Sequence, residues 1–102
     1  MEDDLELQFA AALDASEEAW RTEAGYTWKR YKPMIAVYDA VGTAKRMVVK
    51  RGTSPGFEKL KAAGRLDLTI EALVVDPQFA ALFTLDERAA AQTRLSAHGW
   101  RR

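Results

Sequence analysis

Apolar residues recur at helical spacing through most of the chain, and glycines, prolines and capping residues interrupt them. In the first stretch the apolar positions are Leu5, Phe9, Leu13 and Trp20. They follow each other at intervals of four, four and seven, with acidic residues on the remaining faces, which is the pattern of an amphipathic helix. We predict a helix from about Asp3 to Thr22, closed by Gly25.

The middle of the chain begins with alternating aromatic and basic residues, and the helical spacing then returns. Residues 26–32 have the sequence YTWKRYK, and Pro33 is well placed as the first residue of a new helix. We expect this helix to end at Gly42, and Thr43 to cap a second short helix over residues 44–50. Two short helices meeting at a glycine corner are compatible with a helix-turn-helix. The apolar members of this pair are Met34, Ile35, Val37, Tyr38, Val41, Met47, Val48 and Val49.

The second half carries the strongest helix-boundary signals. Ser54 precedes a proline, a pairing typical of an N-cap and the first helical position, and Gly64 is typical of a helix end. Asp76 also precedes a proline and predicts another short helix. Between them, residues 68–75 form a nearly continuous apolar run that fits either a buried strand or a short buried helix.

A capping box opens the last predicted helix. The hydroxyl of Thr84 can accept from the backbone while the side chain of Glu87 reaches back to the cap. We expect this helix to run to about His98, with Gly99 as its stop. The chain as a whole predicts an all-α, compact bundle of about five to six helices. It is predicted to be one domain over 1–102, with an acidic helix (1–24), a basic and aromatic helical pair (25–53) and a set of capped short helices (54–99).

Charge is unevenly distributed although the net charge is zero. Residues 1–20 hold seven acidic and no basic residues, whereas residues 21–65 hold eleven basic and three acidic residues. The acidic start is neither a secretory nor a transit signal, and no apolar run approaches the roughly 18 residues needed to span a bilayer. The chain has no cysteine, which suits a reducing compartment. We therefore expect a cytoplasmic protein that does not enter the membrane.

Three segments resemble a family of short bacterial or phage-type helical proteins of uncharacterised function. The pattern is Gly56-Phe57-x-x-Leu60, then GRLDLT-x-EA over residues 64–72, then Pro77-x-Phe79-x-x-Leu82-Phe83-Thr84-x-x-Glu87. The resemblance covers roughly residues 25–99, with departures at Trp28 and Pro33. It implies a small bacterial, phage or mobile-element protein of the cytosol, and it implies no activity, cofactor or catalytic residue.

No residue pattern predicts catalysis. His98 is the single histidine, and its place in a last helical turn is typical of a residue that interacts with the helix dipole. Asp67, Glu71 and Asp76 form a cation site only if their segment folds tightly, and helix capping explains them better. An ion pair between Arg65 and Asp67, near Glu71, is a structural interpretation that we prefer. We expect no enzyme, no cofactor and no metal site.

The basic middle offers a candidate binding surface. Basic side chains neutralise phosphates, and exposed aromatic rings can stack on unpaired bases, so DNA or RNA is one possible ligand. Against this, the acidic first helix can lie across the basic segment, or the basic residues can form an ordinary solvated face. The candidate nucleic-acid or partner-binding residues are Trp28, Lys29, Arg30, Lys32, Lys45, Arg46, Lys50 and Arg51.

The competing hypothesis is a protein-interaction or regulatory module whose partner is another protein or a second copy. Trp20, Trp28 and Trp100 are candidate anchors for such an interface, because aromatic residues dominate binding energy there. Trp100 either anchors a partner or folds back on the last helix. We place this hypothesis ahead of the nucleic-acid alternative, since dedicated nucleic-acid domains are usually basic overall.

Overall fold

Helices of 3 to 23 residues make up nearly all of the described chain. The computed structural model describes residues 2–25, 32–49, 52 and 55–100. These residues form five α-helices and two 3₁₀ helices, with no strand among them, which confirms the predicted all-α bundle. The elements are α1 (Glu2–Ala24), α2 (Lys32–Val49), α3 (Pro55–Ala62), η1 (Leu66–Leu68), α4 (Ile70–Val75), η2 (Pro77–Leu82) and α5 (Leu85–Ala97).

The first helix supplies two of the large aromatic side chains of the interior. Phe9 and Trp20 are almost completely buried, as their spacing predicts. The ring of Phe9 meets the rings of Phe79 and Phe83 edge-on, with centroids 5.1 Å and 5.3 Å away. The indole Nε1 of Trp20 donates to the backbone carbonyl of Leu68 over 2.6 Å. The C-terminal half of α1 is therefore fixed to η1, and the N-terminal half to η2.

The apolar run over residues 68–75 is helical, so the strand alternative is wrong. Thr69 caps α4, because its hydroxyl accepts from the backbone N–H of Ala72 over 3.1 Å. Asp76 caps η2 by accepting from the N–H of Gln78 over 3.0 Å, with the following proline as its first residue. The predicted start at Asp76 is confirmed. The predicted cap at Ser54 lies outside the described residues.

Glycines end α3 and α5 with the same hydrogen-bond pattern. Gly64 and Gly99 have φ angles of 72° and 89°, a left-handed conformation that favours glycine. The residue after each glycine then donates its backbone N–H to a carbonyl of the helix. The N–H of Arg65 donates to the carbonyl of Leu60 over 2.8 Å, and the N–H of Trp100 donates to the carbonyl five residues before it over 3.0 Å. This is the Schellman arrangement. Trp100 consequently folds back, half-buried, against the core.

The corner within the second helical pair is three residues earlier than predicted. α2 breaks at Asp39, whose φ and ψ are 62° and −179°, and not at Gly42. The carboxylate of Asp39 accepts from the N–H of Gly42 over 2.7 Å, and Thr43 Oγ1 donates back to the Asp39 carbonyl over 2.7 Å. Asp39 therefore caps the second half of α2. The predicted end at Gly42 and cap at Thr43 are wrong, because a carboxylate supplies a stronger cap one turn earlier.

None of the helices in the described ranges is both long enough and apolar enough to cross a lipid bilayer.

Candidate interaction face

Two of the eight candidate binding residues can be placed with their side chains. These two, Lys45 and Arg46, lie in the second half of α2. The backbone of a third, Lys32, forms the first residue of that helix. The other five lie outside the described residues: Trp28, Lys29, Arg30, Lys50 and Arg51.

Lys45 takes part in an ion pair within the chain. Its Nζ lies 2.8 Å from Oε1 of Glu87, the residue that also closes the capping box of α5 with Thr84. The same Nζ lies 5.5 Å from the ring centroid of Phe83. Burial opposes ionisation of Glu87, but the hydrogen bonds from Lys45 and Thr84 and the lysine charge outweigh it, so the pKa of Glu87 is lowered. Lys45 is therefore neutralised by α5, and the acidic residues of α1 do not supply this partner.

Arg46 stacks on an aromatic ring at the protein surface. Its guanidinium carbon lies 3.8 Å from the ring centroid of Tyr38, and both side chains are exposed. Such a stack holds the guanidinium flat and limits its rotamers. The pair bridges the break at Asp39, because Tyr38 precedes it and Arg46 follows it. A preorganised cation and phenol are thus presented to the solvent.

An aliphatic side chain completes this surface. Val49 is 68% exposed, although the sequence pattern groups it with the apolar residues of its helix. Together with Tyr38, Gly42, Lys45 and Arg46 it forms what we call the outer face of α2. Helical spacing explains the grouping, because residues 42, 45, 46 and 49 follow each other at intervals of three and four. Its spacing from the polar residues Lys45 and Arg46 is the sequence signal that finds Val49 on this face.

Two open grooves border the outer face. The central groove, of about 380 Å³, is lined by the five residues of the outer face and Glu87. The α5 groove, of about 640 Å³, runs between the end of α2 and α5, where Val49 faces the small residues Ala89, Ala90 and Thr93. Val49 lines both grooves, and carboxylates line both as well, Glu87 in one and Asp86 in the other.

The acidic residues considered as a cation site have separate partners. Asp67 receives two hydrogen bonds from Arg65, each of 3.1 Å, as predicted, and these bonds hold the pKa of Asp67 below its ordinary value. Glu71 is buried and pairs with Arg94 over 2.7 Å. Asp76 caps η2. Within the described ranges, no three side chains of the usual ligand types are grouped to hold a metal ion.

The histidine lies at the C-cap of α5. The Nδ1 of His98 lies 2.9 Å from Nζ of Lys61, which can donate to it, and the imidazole meets the ring of Phe57 edge-on at 5.1 Å. These contacts join the end of α5 to α3. They give His98 a packing role between two helix ends.

The structure places one of the candidate tryptophan anchors, Trp20, and several acidic residues of the first helix. Trp20 is only 1% exposed, so it is a core residue and cannot anchor a partner. Glu23 at the end of α1 pairs with Arg65. Among the residues of this helix whose side chains the structure describes, the other exposed acidic residues are Asp4, Glu6, Asp14 and Glu18.

Comparison of the chain with protein-family models, with curated proteins and with solved structures finds no match.

Proposed function

We propose that the protein is a non-enzymatic interaction module that binds another protein through the outer face of α2. The observation that supports this most directly is the exposure of Val49 beside the Arg46–Tyr38 stack. Arginine and tyrosine are enriched among the residues that carry binding energy at protein interfaces, and an exposed aliphatic neighbour adds apolar area. The absence of cysteine suits a reducing cytoplasm, where we expect the module to act.

The chemistry of the grooves favours a protein over a nucleic acid as the partner. The α5 groove contains the exposed carboxylate of Asp86, and carboxylates repel phosphate groups. Lys45 has its charge neutralised by Glu87. A protein segment with an aliphatic side chain for Val49 and a carboxylate for Arg46 fits these groups better. Nucleic-acid binding by residues 26–51 is the alternative that the experiment below distinguishes.

Site-specific photocrosslinking in the native cell tests the proposal. A photoreactive phenylalanine analogue replaces Val49 in one sample and Ala63, an exposed residue beyond α3 that lines neither groove, in the matched control. We expect protease-sensitive adducts at Val49 that are absent at Ala63. Adducts that nuclease removes would support the nucleic-acid alternative. No adduct at Val49 above the Ala63 control would overturn the proposal.

A further inference from the structure

A further groove lies between α1 and the break in α2. Ala10 follows Leu7 and Glu6 at intervals of three and four, which places these three residues on one side of α1. The α2 side of the groove consists of Asp39, where the helix breaks, and the two residues after it. None of these residues lines the central groove or the α5 groove. This kink groove, of about 320 Å³, is lined by Glu6, Leu7, Ala10, Asp39, Ala40 and Val41.

The kink groove has an apolar floor and an acidic rim. Ala40 and Val41 are buried and Ala10 is half-buried, so their short side chains form its base. The carboxylates of Glu6 and Asp39 are exposed, one on each helix. The six lining residues include no lysine or arginine. The groove therefore combines apolar surface with negative charge.

Neither carboxylate has a cationic partner within the described part of the chain. Asp39 Oδ1 accepts from the N–H of Gly42 over 2.7 Å, which is a neutral donor, and Glu6 forms no ion pair there. The buried Glu71, by contrast, is neutralised by Arg94. The negative charge of the kink groove is thus available to a positive group that approaches from outside.

An uncovered aliphatic side chain extends the groove beyond its floor. Leu7 is 70% exposed and follows the exposed Glu6 in the chain. A ligand that covers both offers apolar surface next to a positive charge. The groove itself is at the small end of the range for ligand pockets, about 300 to 1,000 Å³, so it holds little more than one large side chain. The rest of such a ligand lies over the rim, as a polypeptide segment does.

We infer that the kink groove binds a basic and apolar segment of another protein, at a site separate from the outer face. An apolar side chain of the segment enters the groove, and its lysine or arginine neighbours meet Glu6 and Asp39. Charge complementarity favours this partner, because the two carboxylates repel nucleic acids and anionic membranes. The first helix adds to the attraction, since residues 1–20 hold seven acidic and no basic residues.

Titration with defined peptides tests the chemistry of the partner. Isothermal titration calorimetry of the full chain at low salt compares three peptides of equal length, which repeat leucine-lysine-lysine, serine-lysine-lysine and leucine-glutamate-glutamate. We expect only the first to bind, because the second lacks the apolar group and the third lacks the positive charge. Vesicles of anionic phospholipid are the fourth probe, and we expect them not to bind.

Matched substitutions assign the binding to the kink groove. We expect Leu7→Asn to weaken the leucine-lysine-lysine peptide at least about fivefold, because apolar contact is lost. Val37→Asn is the control, at a position that is 73% exposed and lines none of the three grooves, with an expected change under about twofold. We expect Glu6→Gln to weaken the peptide about threefold to fivefold at low salt, an effect that salt removes. Asp14→Asn removes an exposed carboxylate of the same helix outside the groove and should change binding less than about twofold.

The opposite results would overturn the inference. These are no binding of the leucine-lysine-lysine peptide, equal binding of the serine-lysine-lysine peptide, or groove substitutions with no more effect than their controls. Vesicle binding that Leu7→Asn abolishes would replace the protein partner with a membrane surface. Circular dichroism confirms that each variant is folded. None of these outcomes affects the crosslinks expected at Val49, so the proposed function stands or falls separately.

Discussion

Arg94 of α5 and Glu71 of α4 form an ion pair inside the helical bundle, with Arg94 Nη1 2.7 Å from Glu71 Oε2. Only 12% of the arginine side chain and 4% of the glutamate side chain are exposed. The guanidinium also donates to the backbone carbonyls of Met47 and Val48, over 3.1 Å and 3.3 Å. These carbonyls belong to the last turn of α2, where a cation is favoured by the helix dipole. One side chain therefore ties α2, α4 and α5 together.

Removing this arginine is expected to be costly. Arg94→Leu leaves the Glu71 carboxylate buried without its cation and the end of α2 without a donor, so we expect a loss of about 3 kcal/mol in the free energy of unfolding. Urea denaturation measures this loss. The matched control is Arg21→Leu at an exposed position of α1, with an expected change under about 0.5 kcal/mol. Equal effects of the two substitutions would contradict a structural role for the pair.

The hydrogen bond from Trp20 to Leu68 gives a second prediction. Trp20→Phe keeps most of the buried ring but leaves the Leu68 carbonyl without its donor, so we expect a destabilisation of about 2 kcal/mol. Thermal or urea unfolding followed by circular dichroism provides the measurement. Trp100→Phe serves as the control, because Trp100 is half-buried at the end of the described chain, and its replacement should cost less than about 1 kcal/mol. If Trp20→Phe is no worse than the control, the hydrogen bond adds nothing to stability.

The pKa of Glu87 predicts a pH dependence of stability. Because its native-state pKa lies below the ordinary glutamate value of about 4.3, ionised Glu87 stabilises the fold above that pH. The contribution is lost as the pH falls through the lowered native pKa. We expect wild type to be more stable than Glu87→Gln near neutral pH, and the difference to shrink below about pH 4. Urea denaturation over a series of pH values follows this difference.

The lysine partner provides the control for this pH effect. In Lys45→Met the Glu87 carboxylate keeps its bond to Thr84 N–H but loses the ion pair. Replacing Glu87 by glutamine in that background should therefore give a smaller change with pH. A Glu87→Gln difference that is constant from neutral to acid pH would refute the proposed origin of the effect.

The parts of the fold that depend on neighbouring residues could be predicted from the sequence. The caps at Asp76 and Thr84 and the stops at Gly64 and Gly99 each involve residues within five positions of one another, so their residue types suffice to find them. The pair of Arg94 with Glu71 spans 23 positions, and nothing in the local pattern indicates it. The choice between strand and helix over 68–75 also depends on packing, although Thr69 is a usable cap signal.

The position of Val49 on the candidate face could be predicted from helical spacing. Val49 follows Lys45 and Arg46 at intervals of four and three, which places it on the exposed side of α2 whichever residue caps the helix. Its apolar type predicts burial and its spacing predicts exposure, and the structure follows the spacing. The segregation of charge between the acidic start and the basic middle is visible in the sequence alone.

The strained backbone at that break gives the last prediction. Asp39 has a φ of 62° and a ψ of −179°, a region occupied almost only by glycine, and its carboxylate caps the following half-helix. Asp39→Ala loses the cap and keeps the strain, so we expect a destabilisation of about 1 to 2 kcal/mol. Asp39→Gly loses the same cap but relieves the strain, so we expect it to be more stable than Asp39→Ala by about 1 kcal/mol.

This order is the reverse of the one found inside a continuous helix, where alanine is favoured over glycine by about 1 kcal/mol. Urea denaturation of the two variants and wild type therefore reports directly on the backbone at residue 39. Ala36→Gly, at an exposed position of the first half of α2, is the matched comparison and should show the ordinary penalty for glycine. If Asp39→Ala is the more stable variant, the left-handed backbone at residue 39 and the break that it makes in α2 are contradicted.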